Sequence, residues 1–247
     1  MKIRLIYLLV LFVFFSCKKE DALTFEPYSI SSESCEACST VSISIPKALE
    51  KTKLSETINI ALREEIIALL NFDEESDAQD IEGAVKAFIK DYQILNEKFP
   101  EESIPWEAKI KGTITFENKE ILTIKLESYL FTGGAHGYDT VRFLNFKKVE
   151  GTELENQKLF INEEGFKAFA EAEFRKQEKI AAEAPINSSG FMFENEVFYL
   201  PENLGYTDKG VLLFYESYEI ASYADGPITL TLPFQKVNPF LKFPIKP

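Results

Sequence analysis

The chain has 247 residues with 40 acidic against 27 basic side chains, a formal net charge of −13 and a single histidine. An acidic balance of that size excludes nucleic acid, and an anionic bilayer gripped by the protein's own surface, while it favours encounter with a basic partner. Hydrophobic residues make up 45% and aromatic residues 13%, enough apolar material for one large domain or two small lobes.

The chain opens on Met1, Lys2, Ile3 and Arg4, continues through an unbroken apolar run over residues 5–15, and reaches Ser16 and Cys17. This is a charged n-region, a short h-region and a small residue at a cleavage site. About eleven apolar residues are too few to span a bilayer, which takes roughly twenty. The Ser16-Cys17 pair resembles a bacterial lipobox, so residues 1–16 are expected to be a lipoprotein signal peptide and Cys17 the lipidated N-terminus. Membrane attachment is then through the lipid anchor only, at the periplasmic face or the cell surface. Without Lys2 and Arg4 the formal charge becomes −15.

Residues 17–40 are charged and serine-rich and read as a tether. Within them Cys35 and Cys38 form a Cys-Glu-Ala-Cys pair, expected to be a disulfide outside the cytoplasm and a local staple rather than a redox dithiol, since no strand-to-helix context surrounds it. Val41, Ile43 and Ile45 alternate with serines as a half-buried strand that Pro46 ends. A first helix is expected from a cap at Ser55, with Ile58, Leu62, Ile66 and Leu70 at helical spacing. A second begins near Asp77 or Asp80 and buries Ile81, Val85, Phe88 and Tyr92. Trp106 then starts a three-strand meander through residues 108–116, 122–130 and 141–143. Residues 162–184 carry the clearest helical pattern, with Asn162 as N-cap and Pro185 as the stop. Short strands are expected at 197–200, 211–215 and 228–232.

The expected architecture is therefore α+β: antiparallel strands with packed helices in two lobes, an N-terminal one over 41–147 and a C-terminal one over 148–247. Its centre is Thr132-Gly133-Gly134-Ala135-His136-Gly137, between two alternating apolar runs. Gly133, Gly134 and Gly137 supply a tight, shaped loop, because glycine reaches positive φ without steric cost. The only histidine sits in it. A catalytic role for His136 would need an orienting acid such as Glu127 or Asp139, and no Gly-x-Ser-x-Gly elbow accompanies it. One histidine, with the cysteines far off, leaves a zinc site short of ligands, so neither metal nor cofactor is expected.

The Gly-Gly-Ala-His-Gly loop, together with the later run 210–227 that contains Tyr215, Tyr218, Glu219, Tyr223 and Ala224-Asp225-Gly226-Pro227, resembles the paired signature of a family of bacterial envelope domains. That family includes the extracellular domain of lysozyme-sensing RsiV-type anti-sigma factors and the non-catalytic part of PdaC-type peptidoglycan deacetylases. The similarity spans residues 41–241, with both motifs in order. It implies a non-enzymatic cell-envelope binding module for a basic protein such as a lysozyme, or for a cell-wall glycan. His136, Tyr138, Tyr215, Tyr218, Glu219 and Tyr223 are its candidate contact residues. The alternative is an envelope polysaccharide hydrolase or deacetylase-like enzyme that uses His136.

Replacing Cys17 by serine is expected to abolish incorporation of a labelled fatty acid and to release or misprocess the protein. Equal membrane retention of the variant, with no label in the wild type, would refute the lipid anchor.

Overall fold

The computed structural model describes residues 23–32, 35, 38–71 and 78–245. The expected signal peptide and Cys17 lie outside them. Among the described residues no helix is long and apolar enough to cross a membrane.

Strands β1 (Phe25–Ser31), β2 (Thr40–Ala48), β3 (Glu107–Glu117), β4 (Ile121–Phe131), β5 (Tyr138–Lys147) and β6 (Thr152–Glu153) form a six-stranded sheet in that spatial order. All neighbours are antiparallel except β2 and β3. The parallel pair is possible because two helices, α1 (Lys53–Leu70) and α2 (Ile81–Lys98), fill the connection and cover one face. Ile58, Leu62, Ile66 and Leu70 of α1 and Ile81, Val85, Phe88 and Tyr92 of α2 are buried against Val41, Ile43, Ile110 and Ile124 of the sheet. Trp106 lies at the centre of this core, its ring 5.3 Å from Phe88 and 6.1 Å from Tyr92.

The second half builds a separate three-stranded antiparallel sheet from β7 (Asn203–Thr207), β8 (Gly210–Tyr215) and β9 (Ile228–Leu232). Helix α3 (Glu163–Gln177) packs on it through Phe166, Ala170 and Phe174, and the short α4 (Phe234–Val237) follows β9. Phe174 anchors an aromatic cluster with Phe193, Phe198 and Tyr215 at ring distances of 5.5, 5.6 and 6.2 Å. Strand β7 lies against β3, β4 and β5, and this contact is polar as well as apolar. Thr123 Oγ1 donates to Asn145 Oδ1 (2.8 Å), Asn145 Nδ2 donates to the Leu204 carbonyl (2.9 Å), and Thr115 Oγ1 donates to the Tyr206 carbonyl (2.9 Å). Gly205 permits the approach: a Cβ there would stand 2.4 Å from the Phe143 ring.

Several local expectations are corrected. The stretch 17–40 is not a tether throughout, because β1 pairs along β2 from Phe25↔Ala48 to Ser31↔Ser42 and Tyr28 donates to Glu82 of α2 at 2.6 Å. Cys35 and Cys38, in the β1–β2 connection, are joined by a disulfide with Cα atoms 5.0 Å apart. Thr52, not Ser55, caps α1, accepting from the Ser55 N–H at 3.2 Å while Ser55 itself is buried in the first turn. Asp80 caps α2 and Asn162 caps α3 through the N–H groups of Gly83 (2.7 Å) and Gly165 (3.0 Å). Helix α3 ends at Gln177, well before Pro185: Lys179 takes φ 57°, the chain reverses to bury Ile180, and Arg175 donates to the Ala184 carbonyl at 2.9 Å. Residues 197–200 form no strand. They follow a turn in which Asn195 and Glu196 have positive φ, and Phe198 enters the core from a loop instead.

Gly210 (φ 145°) closes the β7–β8 turn with its α-carbon against the backbone of β9, where a Cβ would stand 2.1 Å from the Leu232 carbonyl oxygen. Gly210→Ala should therefore destabilise the protein by about 3 kcal/mol or prevent folding, because backbone rather than a side chain must move. Gly190→Ala, at φ 97° with nothing within 4 Å, should cost only about 1–2 kcal/mol of local strain. Denaturant melts compare the two, and equal losses would contradict the close packing of the turn on β9.

Candidate functional site

The β4–β5 hairpin ends in the loop 132–137, and its shape follows from three glycines. Gly133 and Gly134 take φ of 104° and 90°, a region where a side chain is strained. Gly137 lets the loop fold closely over Tyr129: a Cβ would lie 2.5 Å from its ring, which would have to swing aside. This geometry presents His136 and Tyr138 at the hairpin tip. The His136 Nδ1–H donates to the Gly137 carbonyl at 3.0 Å.

The second wall comes from the β8–β9 connection, some eighty residues later. Residues 216–219 form a turn in which Tyr218 has φ 72°, an unfavourable conformation for a tyrosine, and its ring is 52% exposed. Ser222 and Asp225 then cap each other's backbone, with Ser222 Oγ donating to Asp225 Oδ2 at 2.6 Å, which holds Tyr223 in place. The Tyr223 ring lies between two others. It stacks on His136 at 4.4 Å and 18°, and on Tyr218 at 5.3 Å and 26°. Tyr138 tilts against His136 at 5.7 Å. Tyr138, Tyr218 and Tyr223 are all solvent-exposed, so the fold gathers four aromatic groups from two distant segments on one surface.

The remaining candidates lie elsewhere. Tyr215 is fully buried, its hydroxyl donating to the Tyr199 carbonyl at 2.6 Å, with burial raising its phenol; it is a core residue and not a contact residue. Glu219 turns inward under the patch, accepting from the Glu216 N–H at 2.8 Å. Glu216, which the sequence did not single out, joins the two sheets: its Oε1 accepts from the Val141 N–H of β5 (2.9 Å) and from Asn203 Nδ2 of β7 (3.3 Å). Nothing local marks it, since its partners lie far away in sequence. Burial raises both carboxyls; the Val141 N–H and Arg142 partly offset this at Glu216, while Glu216 and Glu202 add to it at Glu219. Glu127 is paired with Lys125 at 2.7 Å. Among the described residues no group of three or more His, Cys, Asp or Glu side chains is placed to hold a metal ion.

A carboxyl raised in the folded state binds its proton more tightly there than in the unfolded chain. Its stabilising contribution is present below the ordinary carboxylate value of 4.5 and is lost as pH rises through the raised one. Glu219→Gln, which keeps the acceptor for the Glu216 N–H, should therefore lose less stability than wild type as pH rises from 4.5 towards neutrality. Urea midpoints across that range measure this, and parallel profiles would contradict a strained carboxylate.

Residues 32–139 match the family model described as Deacetylase PdaC, and residues 157–235 match that of a protein of unknown function, DUF3298. No curated protein matches the chain. Two solved structures of DUF3298 family proteins share the fold. One, from Bacteroides fragilis NCTC 9343, has a TM-score of 0.72 and 19% identity over 90% of this chain and 95% of its own. The other, from Pseudomonas aeruginosa PAO1, has a TM-score of 0.68 and 20% identity over 92% and 99%. The chain thus carries a PdaC-like segment with the hairpin loop, followed by a DUF3298-like segment with the tyrosine turn, and is similar in that order to PdaC/DUF3298-type domains.

Proposed function

We propose that the protein is a non-enzymatic envelope binding module, held at the membrane by a lipid on Cys17, that docks a basic protein of the lysozyme kind on the His136, Tyr138, Tyr218 and Tyr223 surface. The observation that carries this is the exposed ring stack. Tyrosines anchor protein interfaces because each supplies large, rigid contact area at low entropic cost. Here one of them is held exposed at φ 72°, a strain that the fold bears without burying the ring. The charge of −13 supplies long-range attraction for a cationic partner. In favour of binding over hydrolysis or deacetylation, the His136 imidazole is engaged with backbone and with the Tyr223 ring, not with an orienting carboxylate. A cell-wall glycan is the second reading, favoured by the hollow beside Tyr129, lined by Ser42, Ser44 and Thr140 hydroxyls.

Calorimetric titration with a cationic lysozyme tests the proposal. Binding is expected to persist at physiological salt, where the Debye length is about 8 Å, and to weaken at least about tenfold in Tyr218→Ala and Tyr223→Ala. Tyr218→Gly should also lose binding, yet should be about 1 kcal/mol more stable than Tyr218→Ala because glycine relieves the left-handed strain. Heat confined to low salt, or full binding by the ring variants, would overturn the proposal.

A further inference from the structure

A cleft of about 490 Å³ opens on the seam between the two sheets, and nothing in the ring surface accounts for it. That volume lies within the range of small-ligand pockets. Its floor is apolar: Phe143, Leu154, Phe160 and Leu204 are buried side chains that face one another across the seam, with Leu200 beside them. Its mouth is acidic, with Glu153, Glu163 and Glu202 against a single cation, Arg142. Arg142 is engaged by Glu65 at 3.4 Å, and Glu155 is engaged by Lys158 at 2.8 Å, which leaves Glu153 and Glu163 without an ion-pair partner among the described residues. Glu153 remains solvent-accessible yet enclosed enough that desolvation, with Glu65 and Glu64 nearby, raises its carboxyl despite Arg142. A cation that entered would relieve that charge surplus, and an alkyl stem would cover the floor.

Two interactions link the lining of the cleft to the 216–219 turn that carries Tyr218. Arg142 follows Val141, whose N–H is bound by Glu216, and Glu202 lies close enough to Glu219 to perturb it. We infer that the cleft receives a lysine or arginine side chain of the basic partner, its stem against Phe143, Leu154 and Leu200 and its charged head at Glu153 and Glu163. This amphipathic match, an apolar stem with a charged tip, is what a long basic side chain presents. The inference rests on the binding-module reading and names the chemistry that the partner offers beside the tyrosines. Acidic side chains at the rim of an open cleft with an apolar floor commit the occupant to a cation with a stem, as opposed to a bare metal ion.

The test uses the full chain and the probes Nα-acetyl-lysine amide and Nα-acetyl-arginine amide, followed by backbone amide shifts in nuclear magnetic resonance. Shifts are expected at Leu154, Leu200 and Leu204. The norleucine counterpart, with the stem but no charge, should leave them unmoved. Glu153→Gln with Glu163→Gln should weaken the probes about fivefold or more while the far-ultraviolet circular dichroism shows the protein still folded. Shifts scattered over the acidic surface, or unchanged affinity in the double variant, would overturn the inference. The two readings separate cleanly. Lysozyme heat unaltered by the double variant would refute the cleft and leave the ring surface standing, whereas probe binding without lysozyme heat would refute the ring surface and keep the cleft.

Discussion

The side-chain amide of Asn145 is the interaction on which the arrangement of the two sheets depends. It is buried, accepts from Thr123 within the first sheet and donates to the Leu204 carbonyl in the second. A buried polar group left without a partner costs about 1–3 kcal/mol, so these bonds bind β7 to β5 in one register and penalise slippage in either direction. Apolar packing alone would tolerate sliding. With Gly205 pressed on Phe143 and Thr115 bound to the Tyr206 carbonyl, the second sheet is fixed in position as well as attached.

The ring stack joins loops of the two sheets, and the cleft opens on the seam between them. At one end the hairpin tip meets the 216–223 turn through the stack of Tyr223 on His136, and Glu216 ties the β5 backbone to β7. Midway, the same juxtaposition leaves the cleft between Arg142 and Glu202. The two halves therefore act as a clamp for each other's loops. A ring stack assembled from residues 136–138 and 218–223 exists only while the sheets keep their register, which makes the apparently remote Asn145 a positioning residue for the surface.

The acidic composition is distributed unevenly in its consequences. Carboxylates on the open faces pair with lysines at little gain, as Glu127 does with Lys125, because solvent screens them. Those along the seam, Glu153, Glu216 and Glu219, are partly desolvated, and this raises their carboxyls. Retained electrostatic tension of this kind gathers where a protein meets a ligand more often than in its scaffold. Here Glu216 and Glu219 flank the strained Tyr218, and Glu153 lines the cleft.

The sequence by itself determined the elements whose signals are local. The spacing of Ile58, Leu62 and Ile66, the cap Asn162, the β4–β5 hairpin and its glycine loop, and the strand 228–232 all follow from neighbours within a few residues. It concealed β1, whose first half carries Glu26 and Pro27 within a charged, serine-rich stretch, and it misplaced a strand at 197–200, where an apolar run serves a loop that plunges into the core. Among the candidate residues it could not tell Tyr215 from Tyr218, because both lie in one aromatic run; only the path of the turn sends the first inward to the Tyr199 carbonyl and the second out to solvent. The stacking of His136 on Tyr223 and the bridge from Glu216 to Val141 were decided by tertiary structure alone, since each joins residues at least seventy-five positions apart whose proximity depends on how two sheets dock.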